Sequence, residues 1–81
     1  MASTPRMTAL EVRDILMRFL DDKTGPYEWD DFISVPIRDQ MLDAIRERCI
    51  GLPVEFPPEV PGHYCNESGD NVLRQLIRQL G

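Results

Sequence analysis

The sequence predicts an all-α fold: a small three-helix domain with two long, ordered connections rich in proline and aromatic residues. Two observations carry this. Three stretches repeat apolar residues at three- and four-residue steps, the spacing of one face of an α-helix. Between them lie two helix-free runs, 23–38 and 51–66, holding six of the seven prolines and five of the six aromatics. Disordered chain is poor in aromatics, so these runs read as ordered arms that complete the core.

The helices follow in order. Residues 1–7 are expected to form a flexible lead and 8–81 a single helical domain. Thr8 is a candidate N-cap, Glu11 completes a capping box, and Met7 can staple onto Val12; a start at Thr4 with Pro5 is the other option. The first helix, 8–22, turns Val12, Ile15, Leu16, Phe19 and Leu20 inward and Arg13, Asp14 and Arg18 outward, with Gly25-Pro26 as its stop. The second, 39–50, starts at Asp39, buries Met41, Leu42, Ile45 and Cys49, and shows Asp43, Arg46, Glu47 and Arg48 to water. Gly51 and Pro53 read as its stop. The third, 67–80, is capped by Asn66 or Ser68 and buries Val72, Leu73, Leu76, Ile77 and Leu80.

The stretch from Thr24 to Asp39, with Pro26 and Pro36 inside it, reads as neither a continuous helix nor a central strand. A brief extended segment at 32–35, or a short fourth helical turn, is compatible with it. Trp29, Phe32 and Phe56 are expected to plug a core that three short helices alone leave small. Pro57-Pro58 favours extended backbone and Pro61-Gly62 a turn.

Charge sets limits on function. The chain has 81 residues, a net charge of −5 and a pI near 4.6, so it lacks the basic field needed to grip nucleic acid or an anionic membrane surface. No signal-peptide core and no run of about 20 apolar residues is present, which makes cytoplasm the expected compartment and reduced thiols the expected state of Cys49 and Cys65. The acids concentrate in the connections. Asp21, Asp22, Glu28, Asp30 and Asp31 face only Lys23, and Glu55, Glu59, Glu67 and Asp70 face no basic residue over 55–70. Such a rim is either a solvated surface or a recognition surface for a basic protein, and Glu28, Asp30, Asp31, Glu55 and Glu59 are its candidate binding residues.

Chemistry has little to work with. Neither a phosphate-binding glycine loop nor alternating calcium ligands occur, and so short a chain has little room for a substrate pocket. The expectation is a non-enzymatic module without a cofactor, acting as monomer or homodimer. The alternative is a small metal- or thiol-dependent protein using Cys49, His63 and Cys65, although paired zinc ligands at the usual spacing are lacking.

The strings G-P-Y-E-W-D-D-F-I-S-V-P-I-R-D, L-D-A-I-R-E-R-C, L-P-V-E-F-P-P-E-V-P and Y-C-N-E-S-G resemble a group of short bacterial proteins that share them over most of their length. The resemblance implies a bacterial, stand-alone protein and brings no ligand or site residues. In size, acidity and helicity the chain is also similar to the immunity proteins of nuclease colicins, without their binding motif of paired tyrosines.

Overall fold

Thr8 opens the first helix as expected. In the computed structural model, which describes residues 7–25 and 27–81, its side chain accepts from the Glu11 N–H while the Glu11 carboxylate accepts from the Thr8 N–H. Met7 packs half-buried against the core; the rest of the expected lead, and the Thr4–Pro5 start, lie outside the described residues.

Among the described residues there are four helices rather than three: α1 (Ala9–Leu20), α2 (Glu28–Ser34), α3 (Gln40–Glu55) and α4 (Glu67–Leu80). The class is all-α, and the connections shrink to 21–27, 35–39 and 56–66. α1 packs most extensively on α4, α2 lies on α3 and α1, and α3 completes the bundle against α4.

α1 stops earlier than Gly25. Asp22 adopts the left-handed conformation, φ 57°, and two bonds close the end behind it: Asp22 N–H to Phe19 C=O at 3.2 Å and Lys23 N–H to Arg18 C=O at 2.8 Å. This is the Schellman arrangement, with aspartate where glycine is usual.

α2 replaces the expected irregular or extended stretch. Trp29, Phe32 and Ile33 share one face at three- and four-residue spacing, and Glu28, Asp30 and Asp31 suit the positive end of the helix. Pro36 bounds the helix instead of breaking it. Seven residues do not form a stable helix alone, so burial of Trp29 at 7% and Phe32 at 4% exposure holds this one.

α3 runs through Gly51 and Pro53, the expected stop, to Glu55. Asp39 caps it by accepting from the Met41 and Leu42 N–H groups. Two of its side chains change sides: Met41 is exposed, and Arg46 is buried at 7% exposure. Arg46 donates to Asp43 at 2.7 Å and to the Ile33 carbonyl at 2.6 Å, while Asp43 also accepts from the Ile37 N–H at 2.9 Å. The guanidinium thus closes the last turn of α2 onto α3, and the acid holds the linker between them.

The final connection is a loop with its ends tied, Asn66 N–H to Phe56 C=O at 3.0 Å. Gly62, at φ 91°, supplies the turn expected at Pro61-Gly62, closed by His63 N–H to Val60 C=O. Asn66, not Ser68, caps α4 by accepting from the Gly69 N–H.

Candidate functional site

Aromatic packing joins the elements that carry the acidic residues. Phe19 of α1 stacks on Trp29 of α2 with ring centroids 3.6 Å apart, and Tyr64 of the last connection meets both rings edge-on, at 5.2 and 5.5 Å. Trp29 also meets Phe32 at 5.5 Å. The two runs singled out in the sequence therefore do pack on one another, through Trp29 and Tyr64. Phe56 is only half-buried, with Arg48 over its ring at 6.0 Å.

The Trp29 indole N–H is buried with no hydrogen-bond partner among the described residues. The Tyr64 hydroxyl donates to the Cys49 carbonyl at 2.8 Å. Burial pushes the Tyr64 phenol above its ordinary range, with the nearby Asp30 carboxylate adding to the effect.

The five candidate binding residues fall into different environments. Glu28 is engaged: Arg18, expected to face water, turns to α2 and donates to both its carboxylate oxygens, at 2.9 and 3.0 Å. Glu55 pairs with Arg48 within α3. Asp30 and Asp31 are exposed in the first turn of α2 and have no ion-pair partner among the described residues. Glu59 is exposed in the last connection. Beside Asp30 and Asp31 stands Tyr27, 73% exposed, a residue that composition alone assigned to the core-completing arms.

Two clefts border this region. One, of about 560 Å³, lies between α1 and α2, with Met7, Ile15, Phe32 and Val35 as its apolar lining and Glu28 and Asp31 at its edge. The other, of about 600 Å³, is walled by Phe19, Leu20 and Tyr64 and carries Asp22, His63, Cys65 and Asp70. The first was not legible in the sequence, because it exists only once 28–34 coils and sets Asp31 and Phe32 beside α1.

Of Cys49, His63 and Cys65, the last two line the second cleft and Cys49 does not. Cys49 is fully buried and burial pushes its thiol up to about 12. Cys65 is raised to about 11, first by burial and then by the Asp70 carboxylate, to which its Sγ lies at 3.5 Å. Neither offers a thiolate near neutral pH, the form that attacks and ligates. His63 is exposed, and among the described residues no three His, Cys, Asp or Glu side chains are grouped to hold a metal ion. No described helix is long and apolar enough to cross a membrane.

No family model matches the chain, and no curated protein or solved structure is significantly similar to it.

Proposed function

We propose that the chain is a non-enzymatic protein–protein interaction module of the cytoplasm, immunity-like in presenting an acidic surface to a basic protein. One observation supports this above the others: Asp30 and Asp31 stand exposed and without an ion-pair partner among the described residues, next to the exposed Tyr27, on a helix whose Trp29 and Phe32 are locked into the core. A surface held rigid by its own core loses little freedom on binding. Tyrosine adds contact area with a polar tip, and free carboxylates steer a cationic partner. Glu28 and Glu55, already paired, serve the fold first; Glu59 extends the negative surface.

The test is reversal of charge. Asp30→Lys with Asp31→Lys keeps the fold, losing at most about 1 kcal/mol per residue because the acids favour the start of α2. The same change slows association with a partner isolated from the native host and flattens the salt dependence of that rate. A double variant that binds this partner at the parental rate at low salt returns the two acids to the service of the helix alone.

A further inference from the structure

We infer that the cleft between α1 and α2 is where that partner docks, and that it takes an amphipathic segment bearing a large apolar side chain with a lysine or arginine one helical turn away. The inference rests on the interaction-module reading and deepens it. The lining from Met7, Ile15, Phe32 and Val35 gives about 560 Å³ of largely apolar space, which rewards an aliphatic or aromatic side chain. The edge is negative. Glu28 and Asp31 stand three residues apart on α2, so one helical turn of an incoming segment spans them. Arg18, the cation that bridges the two helices, is already held by both oxygens of Glu28 and lies in the field of Asp14. Asp31 keeps no ion-pair partner among the described residues. An apolar lining bordered by one carboxylate, Asp31, with no ion-pair partner among the described residues is the complement of a basic, amphipathic helix. A second copy of this chain fits worse, since it brings a net charge of −5 to a negative edge.

The full chain, isotopically labelled, is titrated with three short helix-forming peptides: one of lysine and leucine, one of lysine and serine, one of glutamate and leucine. The lysine–leucine peptide is expected to shift the amide resonances of Ile15, Asp31, Phe32 and Val35 most. Asp31→Lys and Val35→Lys, both at exposed positions, each weaken that binding by about tenfold or more while the spectrum stays native. Equal binding of the lysine–serine peptide means charge alone suffices; the cleft then falls while the acidic-module reading stands. Shifts centred on Asp22 and Asp70, or no binding of the lysine–leucine peptide at millimolar concentration, likewise overturn the cleft. A concentration-dependent doubling of mass with the same resonances shifted makes the occupant a second copy and overturns the proposed partner. Failure of the interaction module is read separately, from an unchanged association rate of the Asp30→Lys, Asp31→Lys variant with its partner.

Discussion

Pro53 stands inside α3 four residues after Cys49, where its ring nitrogen has no hydrogen for the Cys49 carbonyl. The Tyr64 hydroxyl fills that vacancy at 2.8 Å, so a residue eleven positions further on completes the helix. Tyr64→Phe keeps the ring contacts to Phe19 and Trp29 but orphans the carbonyl, at a cost of about 1–3 kcal/mol in chemical denaturation. Pro53→Ala restores an N–H to the same acceptor, so Tyr64→Phe in that background costs clearly less. Equal costs in the two backgrounds would show that the two residues do not share this carbonyl. Arg46 illustrates the same principle with charge. A side chain expected in water is buried because α2 ends at its tip, where the Ile33 carbonyl needs a donor.

Two glycines separate helix propensity from packing at the scale of the element. At Gly51 in α3 an added Cβ meets nothing within 4 Å, so Gly51→Ala is expected to gain up to about 1 kcal/mol from the better helix former. Gly69, in the first turn of α4, faces the opposite situation. A Cβ there falls 2.6 Å from Cys65 Sγ, 2.8 Å from Cys65 Cβ and 3.2 Å from Phe56 Cβ. Gly69→Ala therefore destabilises despite its propensity, because α4 or the tied loop 56–66 has to move. Melting temperatures of the two variants should shift in opposite directions; a rise in both would mean that the loop yields freely and does not fix the position of α4.

For the whole molecule, the paired and buried groups set a window of pH. The Arg46 guanidinium, with help from the Ile37 N–H, holds the Asp43 carboxyl below its ordinary range. Its contribution is complete above the ordinary carboxylate value of about 4 and is lost as pH falls through the lower value of the folded protein. On the alkaline side Cys49 and Cys65, raised to about 12 and about 11, and Tyr64, raised by burial, stay neutral in the fold after they would ionise in the unfolded chain. Stability from the thiols is complete below about 8.5 and falls as pH rises toward the folded values. The melting temperature should be flat between about pH 5 and 8 and decline on both sides. Asp43→Asn should shallow the acid limb and Cys65→Ala the alkaline one. A melting temperature that holds steady up to about pH 11 would contradict the burial of both thiols.

Periodicity within the chain was enough for α1, the first three turns of α3, and α4, and local side chains for the caps at Thr8 and Asp39, with the α4 cap narrowed to Asn66 or Ser68. Each of these is decided by side chains within four residues of the backbone they serve. The burial of Trp29 and Phe32 was legible too, since few residues could complete so small a core. Contacts distant in sequence decided the rest. Residues 28–34 coil because the fold offers Phe19, Tyr64 and Arg46 to their inner face and last carbonyls, a reward no seven-residue window contains. Pro53 stays helical because Tyr64 returns to the carbonyl that the proline abandons. Of the candidate binding residues, the acids were visible as composition. Which of them are paired came only from the tertiary structure, where Arg18 and Arg48 meet Glu28 and Glu55 while Asp30 and Asp31 have no ion-pair partner among the described residues.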